Sequence, residues 1–277
     1  MIKIVRPLNV VIGFLSAFVV AAVANISISP DIVLSGLAIG FFIGAGNAIN
    51  DFYDFETDCL NHPKRPLPSG LISKKTALLI SWILFGCGFF TVFMMSNFYL
   101  PFGIALFAFA VLIAYSRWWK KTVLIGNFAV SALLGLAFVF TGASIGDIAP
   151  TLPPAFLAFG LTIIREMVKD LQDYDGDISA KMKTLPIVMG KGFSIRLIHF
   201  FSIVFVLISP LPFFLKIYDQ FYFGILIFGV IFPLLFLNFS MLKHGEKTDL
   251  NFFSGLLKLS IIAGLVAVFF GKTNQGY

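Results

Sequence analysis

The chain has 277 residues, of which 58% are hydrophobic and 12% are charged, and its formal net charge is +6. Such an apolar composition excludes an ordinary soluble domain and is typical of an integral membrane protein. The two cysteines do not form a disulfide framework, and no module of basic and aromatic surface residues supports a nucleic-acid partner.

Apolar runs long enough to cross a bilayer recur along the chain. A spanning helix needs about 20 predominantly apolar residues. Nine such runs are predicted, at 9–29, 32–50, 75–96, 98–116, 122–145, 152–169, 193–215, 220–241 and 252–271. The first run lacks the small-residue cleavage pattern of a signal peptide, so it is counted as a span. The sequence therefore predicts an all-α, polytopic membrane protein, with residues 1–277 in a single domain and no linker.

Basic residues are concentrated on one side of these predicted spans. Successive loops alternate between the two sides of a membrane, and cytoplasmic loops are enriched in Lys and Arg. Seventeen of the twenty basic residues fall on the side of the N-terminus, whereas Lys216 and Lys272 fall on the other side and Lys258 lies within the last span. The sequence predicts a multi-pass protein of the cell membrane with a cytoplasmic N-terminus and an external C-terminus.

Two acidic segments interrupt the apolar pattern on the basic side. NDFYDFETD at 50–58 follows the second span, and REMVKDLQDYDGD at 165–177 follows the sixth. Aligned at an offset of 119 residues, both contain the spacing D-x-x-D-x-x-x-D. The aspartates with this spacing, called here the first row and the second row, are Asp51, Asp54 and Asp58, and Asp170, Asp173 and Asp177. This is a weak internal repeat, and repeated halves of membrane proteins tend to form a binding site together.

Carboxylates at this spacing need a compensating cation. Positions i, i+3 and i+7 lie on one face of a helix, so each row is predicted to project its carboxylates in one direction. A charge near hydrocarbon costs up to about 3 kcal/mol. Oxygen ligands suit Mg²⁺, which takes one or two carboxylates and shares its other positions with waters and substrate phosphates. The two rows are therefore predicted to hold Mg²⁺ and a diphosphate; acids that collect at solvated helix ends are the simpler alternative.

The segments around both rows resemble a known family. The pattern N-D-x-x-D-x-x-x-D after the second span, the second acidic pattern after the sixth, and RPLPSG at 65–70 are similar to the UbiA superfamily of intramembrane prenyltransferases. The likeness extends from RPLN at 6–9 to the ninth span. It implies nine transmembrane helices around a central cavity with a cytoplasmic cap. It also implies metal-assisted departure of diphosphate from an allylic prenyl donor, followed by attack of an acceptor nucleophile.

The resemblance also implies roles for individual residues. The residues expected to be catalytic, through the Mg²⁺ that they bind, are Asp54, Asp58, Asp173 and Asp177. The expected metal ligands are Asn50, Asp51, Asp54, Asp58, Asp170, Asp173 and Asp177. Of these, Asp51 and Asp170 could equally orient other ligands or hold basic partners. The expected substrate-binding residues are Asn9, Lys64, Arg65, Tyr115, Lys120, Lys121 and Lys169. For any one of these cations, an anchor on the basic side of the membrane is the alternative.

Within the superfamily, residues 46–73 are most similar to the archaeal digeranylgeranylglyceryl phosphate synthases. This likeness implies transfer of a geranylgeranyl group from its diphosphate to the hydroxyl of geranylgeranylglyceryl phosphate, a lipid-like acceptor in the membrane. The acceptor phosphate needs further positive charge, and the surplus cations expected to supply it are Lys3, Arg6, Lys120, Lys121, Lys181 and Lys183. The alternatives are an aromatic acceptor such as a quinone or haem precursor, a channel or transporter that uses the rows as a cation site, and a membrane scaffold.

Overall fold

A computed structural model describes residues 2–271, so Lys272 lies outside the described residues. The chain divides into two compact units, residues 1–120 with 136–152, and residues 121–135 with 153–277. One helix, α6, begins in the second unit and ends in the first. The expectation of one domain over the whole chain stays a prediction.

The first unit is built from helices joined by short loops. Its helices are α1 (Pro7–Val23), α2 (Pro30–Tyr53), α3 (Phe55–Asn61), α4 (Lys74–Phe93), α5 (Tyr99–Arg117) and the second half of α6 (Ile125–Ile145). Short 3₁₀ turns lie at Ile2–Val5, Trp119–Lys121 and Ala149–Thr151. The starts follow ordinary helix signals: Pro30 is the first residue of α2, and the Ser73 hydroxyl caps α4 by accepting from the Thr76 N–H at 3.0 Å.

The second unit contains more, and shorter, helical pieces. Its α-helices are α7 (Leu152–Gln172), α8 (Tyr174–Ser179), α9 (Leu185–Met189), α10 (Lys191–Ile208), α11 (Leu211–Phe214), α12 (Gln220–Leu226), α13 (Phe232–His244) and α14 (Leu250–Phe270). A π-helical turn at Ile227–Ile231 joins α12 to α13, so that the helical run continues. Asp219 and Asp249 cap α12 and α14 with their carboxylates.

The predicted all-α membrane architecture is confirmed, but the count of nine spans is not. Among the described residues, eight helical segments are long and apolar enough to cross a membrane. They are Pro30–Tyr53, Lys74–Phe93, Tyr99–Arg117, Ile125–Ile145, Ala149–Gln172, Lys191–Phe214, Gln220–Lys247 and Leu250–Phe270. The helix in the first predicted run, α1, has 17 residues. At 1.5 Å per residue it is about 26 Å long, shorter than the bilayer core of about 30 Å.

The helix that carries the first row, α2, is the best-packed element of the first unit. Its buried residues Ile39, Phe42 and Ile49 belong to a cluster with Phe85 of α4. Small residues allow close approach between helices, as is common in membranes. A Cβ added at Gly36 would lie 2.8 Å from the carbonyl oxygen of Phe14 on α1. The helix end that bears the aspartates is therefore held by packing along the length of α2.

The helix that carries the second row, α7, is buried in a comparable way. Ile164, Met167 and Val168 are fully buried on it. A Cβ added at Gly160 would clash with the ring of Phe205 on α10. Large apolar side chains elsewhere in the second unit, such as Phe228 and Leu242, are more than 70% exposed. Such side chains on long apolar helices fit contact with lipid.

The internal repeat is visible in the helix boundaries. The motif helices α2 and α7 end at Tyr53 and Gln172, and the short helices that follow begin at Phe55 and Tyr174, each pair 119 residues apart. The helices that precede them, α1 and α6, begin 118 residues apart. The weak repeat seen in the acidic spacing thus extends to the surrounding helices.

Candidate functional site

Each row of aspartates straddles a break between two helices. Asp54 separates α2 from α3 with φ −87° and ψ 2°, and Asp173 separates α7 from α8 with φ −88° and ψ 5°. The i to i−4 hydrogen bonds continue across both breaks, since the N–H groups of Asp58 and Asp177 donate to the carbonyls of Asp54 and Asp173 at 2.8 and 2.9 Å. The prediction that each row lies on one helix is nevertheless wrong, because each row is divided between two helices at its second aspartate.

The first row is buried together with cations. Asp51, Asp54 and Asp58 are each no more than 3% exposed. The Lys120 ammonium donates to Oδ2 of Asp54. Arg65 Nη1 donates to both carboxylate oxygens of Asp58, at 2.7 and 2.6 Å. Buried carboxylates are stable only when paired, so these contacts account for their burial.

Asp51 is bound by the segment that enters α1. Arg6 Nη2 donates to Asp51 Oδ1 at 2.7 Å, and Arg6 Nη1 donates to the side-chain oxygen of Asn47 at 3.2 Å. Asn47 in turn donates to the carbonyl of Val5 at 2.9 Å. The N-terminal segment is therefore tied to the last turns of α2 through two side chains.

The second row has contacts of a different kind. Asp170 accepts from the side-chain amide of Asn127 on α6 at 2.9 Å. The nearby cations pair with Glu166 instead: Arg165 Nη1 donates to it at 2.8 Å and Lys169 Nζ at 3.5 Å. Asp177 is buried, whereas Asp170 and Asp173 are half-buried.

Two side-chain oxygens at the break between α2 and α3 are suited to bind a metal ion. Asn50 Nδ2 donates to Asp54 Oδ2 at 2.8 Å, which leaves Asn50 Oδ1 and Asp54 Oδ1 buried and without a hydrogen-bond partner among the described residues. A buried oxygen with no donor is costly unless a ligand satisfies it. Amide and carboxylate oxygens are the donors that Mg²⁺ prefers, so Asn50 and Asp54 fit this ion.

No group of three acidic, histidine or cysteine side chains in residues 2–271 converges on one point as a complete metal site. Mg²⁺ commonly binds proteins through one or two carboxylates and takes waters and substrate phosphates as its other ligands. A row that contributes one amide and one or two carboxylates fits this type of site.

The remaining predicted substrate-binding residues differ in exposure. Lys64 and Lys121 are exposed, and Lys169 and Tyr115 are half-buried. Asn9 lies half-buried in the first turn of α1. Of the predicted cations, Lys120 and Arg65 contact aspartates of the first row directly. The assignment of the other residues to substrate stays a prediction.

Several contacts around the rows were not predicted. The sequence predicts Arg6 only as a surplus cation for a phosphate, and it predicts no role for Asn127. In both units, the long helix that follows the row, α4 or α10, begins with a lysine. The ammonium of this lysine lies over the aromatic ring of the first residue after the break. Lys74 Nζ is 4.9 Å from the ring centre of Phe55, and Lys191 Nζ is 4.0 Å from that of Tyr174. Lys74 and Lys191 follow Asp54 and Asp173 by 20 and 18 residues, and this similar spacing is the sequence signal for the contact.

Comparison with known proteins identifies the family. The model of the UbiA prenyltransferase family matches residues 10–262. The digeranylgeranylglyceryl phosphate synthase of Methanosphaera stadtmanae is 32% identical over 98% of both chains. A solved structure of a digeranylgeranylglyceryl phosphate synthase matches with a TM-score of 0.80 and 28% identity, over 97% of this chain and 96% of that chain. The chain belongs to the UbiA prenyltransferase family.

A more distant structure shares the fold. A UbiA homologue from Archaeoglobus fulgidus bound to DMAPP and Mg²⁺ matches with a TM-score of 0.66 and 21% identity, over 96% of this chain and 98% of that chain. At this identity the likeness concerns the fold alone. The family that the acidic segments and RPLPSG resemble is confirmed by the family match over residues 10–262 and by the relative from M. stadtmanae.

Proposed function

We propose that this member of the UbiA prenyltransferase family transfers a geranylgeranyl group from geranylgeranyl diphosphate to the free hydroxyl of geranylgeranylglyceryl phosphate. The product is digeranylgeranylglyceryl phosphate, and the reaction depends on Mg²⁺. The acceptor is supported by the relatives of that name, which match nearly the whole chain. The observation that carries the proposal is the first row, where unsatisfied oxygens of Asn50 and Asp54 lie beside Lys120.

The metal ligands in this proposal come from both rows. Asn50, Asp54 and Asp58 would hold one ion, and Asp173 and Asp177 would hold the other. When bound, Mg²⁺ neutralises the charge that develops on the diphosphate as it leaves. The A. fulgidus structure with DMAPP and Mg²⁺ supports the choice of ion, because it shows a protein of the same fold with a prenyl diphosphate and this metal.

The chain's own cations position the diphosphate. Lys120 and Arg65 are within hydrogen-bonding distance of the first-row carboxylates, so a diphosphate that binds at this row meets both. Arg presents a planar fork to phosphate oxygens, and Lys presents a point charge. Donors that are already in place stabilise the negative charge on the departing diphosphate, because they do not have to reorient during the reaction. Such electrostatic stabilisation is usually the largest single contribution to catalysis.

The acceptor needs no strongly activated nucleophile. The allylic C1–O bond of the donor breaks, and its electron pair leaves with the diphosphate. The acceptor hydroxyl then forms a C–O ether bond to the electron-poor C1 and loses its proton to diphosphate or water. An ionised allylic carbon is reactive enough for an ordinary alcohol, so the residues mainly have to bind and orient the two substrates.

We also propose that the active site faces the cytoplasm. The acidic segments lie at the ends of spans whose adjoining loops carry most of the Lys and Arg residues. Basic loops stay on the cytoplasmic side during membrane insertion. Reporter fusions in the 62–73 loop and in the 180–184 loop test this orientation, and an external signal from either loop contradicts it.

A competition between acceptors tests the proposed function. The purified protein is incubated with labelled geranylgeranyl diphosphate and Mg²⁺, together with geranylgeranylglyceryl phosphate or with 4-hydroxybenzoate. A labelled diether phosphate is expected. Product from the aromatic acid alone would contradict the proposed acceptor and favour an aromatic prenyltransferase. The absence of transfer to either acceptor, combined with cation flux in liposomes, would favour a transporter.

A further inference from the structure

The first aspartate of the first row is fully engaged with the chain that enters α1. Asp51 is 3% exposed and accepts from Arg6, which also donates to Asn47. Ile4, two residues before Arg6, is fully buried against Leu67 and Ile72 of the loop after the row. The N-terminal segment therefore contacts the helix before the break and the loop after it.

The first aspartate of the second row is engaged in the equivalent way. Asp170 lies in the last turn of α7 and accepts at 2.9 Å from Asn127 in the first turn of α6. Asn127 is 8% exposed. In each unit, the start of the helix that precedes the motif helix thus donates to the first aspartate.

The backbone shows that this arrangement is repeated. Arg6 and Leu124, the residues directly before α1 and α6, have φ of 51° and 60°. A left-handed conformation is uncommon for residues other than glycine, and at a bulky residue it persists only where surrounding contacts maintain it. Both helices therefore begin directly after a residue in the same strained conformation. The hydrogen-bond donor is nevertheless the guanidinium of Arg6 in one unit and the amide of Asn127 in the other.

We propose that Asp51 and Asp170 are positioning residues rather than metal ligands, and that Arg6 and Asn127 are their partners. Each pair ties the start of one helix to the last turn of the motif helix and fixes the break at Asp54 or Asp173. The inference rests on the proposed function, since the catalytic residues positioned are the metal ligands named there. It removes Asp51 and Asp170 from the predicted ligand set.

The geometry favours this role over direct metal binding. Asp51 lies one helical turn before Asp54, and its hydrogen bond to Arg6 directs it toward the N-terminal segment. The unsatisfied oxygens at the break belong to Asn50 and Asp54, not to Asp51. Residues that orient metal ligands typically change metal affinity or activity by 10- to 100-fold when they are lost.

Binding of Mn²⁺ separates the two roles without relying on turnover. Mn²⁺ replaces Mg²⁺ at oxygen sites, and its free concentration is measured by electron paramagnetic resonance. Asn in place of Asp51 or Asp170 keeps an acceptor oxygen for the partner but removes the carboxylate. Because the acceptor oxygen is kept, we expect Asp51→Asn and Asp170→Asn to bind as many Mn²⁺ ions as the unmodified protein. Asp54→Asn and Asp173→Asn are expected to lose one bound ion each.

Exchange of the partners provides the second test. Asn127→Leu is expected to lower turnover by about 10- to 100-fold. Asn127→Asp combined with Asp170→Asn restores one amide-to-carboxylate hydrogen bond in the opposite direction, so turnover is expected to recover to within about threefold. The exchange moves the carboxylate to α6, so a metal ligand at position 170 would not be restored. In the first unit, Arg6→Met and Asp51→Leu are expected to have equal, non-additive effects, and Arg6→Lys a smaller one.

The outcomes distinguish this inference from the proposed function. Loss of a bound Mn²⁺ in Asp51→Asn or Asp170→Asn overturns the positioning role and leaves the proposed function intact. Full Mn²⁺ binding in Asp54→Asn and Asp173→Asn overturns the proposed ligands. If the exchange variant unfolds, the Mn²⁺ affinities of the single Asn variants decide the question alone.

Discussion

In the first row, each aspartate contacts a cation from a separate segment of the chain: Arg6 before α1, Arg65 after α3, and Lys120 after α5. In the second row, Asp170 accepts from a neutral amide, and the neighbouring cations pair with Glu166. The backbone at the two breaks is nevertheless nearly identical. The repeat therefore preserves the backbone geometry of the aspartates, whereas the partners of the two rows differ.

This difference indicates that the two rows contribute differently to diphosphate binding. Buried carboxylates that already lie beside Lys and Arg form a site where a diphosphate meets positive charge as well as metal. Asp170, which accepts from an amide, depends less on the protein's own cations. The first row is therefore expected to be more sensitive to loss of its cations, and both rows equally sensitive to loss of the break aspartates.

The largest expected effect concerns the feature that the two rows share. Asp54→Ala and Asp173→Ala should each lower turnover by at least about 100-fold, the scale for removal of one group that stabilises transition-state charge. Helical content by circular dichroism should stay unchanged. A near-normal rate in either variant, or undiminished activity in EDTA, would show that the break aspartates are not metal ligands.

Loss of a lysine beside a row should have the next largest effect, and the effect should be larger for the first row than for the second. Lys120→Met removes a charged hydrogen bond to Asp54, worth about 1.5–3 kcal/mol, and should lower kcat/KM by about 10- to 100-fold. Lys169→Met should have a smaller effect, because Lys169 pairs with Glu166. Lys75→Met, at an exposed lysine outside both rows, is the matched control. Equal losses from Lys120→Met and Lys169→Met would remove the distinction between the rows.

A packing change in α2, far along the helix from the first row, should lower the stability of the protein more than its turnover. Gly36→Ala places a methyl group 2.8 Å from a backbone oxygen of α1, so α2 has to shift. Overpacking of this kind costs about 1–3 kcal/mol, which thermal unfolding in detergent detects. Gly86→Ala is the control, because an added Cβ there has no neighbour within 4 Å among the described residues. If both variants unfold at the same temperature, the close packing of α2 on α1 is not required.

The smallest effect concerns the lysines over the rings at the breaks. Lys74 and Lys191 lie over Phe55 and Tyr174, and cation–π contacts at exposed sites contribute about 0.5–1 kcal/mol. Lys74→Met and Lys191→Met should therefore each lower turnover by about two- to fivefold, with Lys75→Met again as the control. A loss confined to one unit would show that this repeated contact serves only one row.

Short-range patterns in the sequence predicted much of the architecture. Apolar runs located the long helices, and the offset of 119 residues located both rows. The breaks themselves were missed because the i to i−4 hydrogen bonds continue through Asp54 and Asp173, so the spacing still reads as a helix. The count of nine spans is not confirmed because of α1. The first predicted run continues to residue 29, whereas α1 ends at Val23.

The partners of the aspartates lay beyond the reach of local patterns. Arg6 and Asp51 are 45 residues apart, Asn127 and Asp170 are 43 apart, and Lys120 and Asp54 are 66 apart. Nothing in the spacing of one segment indicates which cation of another segment folds against it. Lys120 is one of the cations predicted to bind substrate and that role stays a prediction, whereas Asn127 carries no charge that marks it in the sequence.

The number of metal ions bound by each row tests the central claim most directly. Mn²⁺ is titrated into the purified protein, into Asp54→Asn and into Asp173→Asn, and the bound ions are counted by electron paramagnetic resonance. Two ions in the unmodified protein and one in each variant are the predicted result. Two ions in both variants, or none in the unmodified protein, would contradict the claim that each row supplies its own metal ligands.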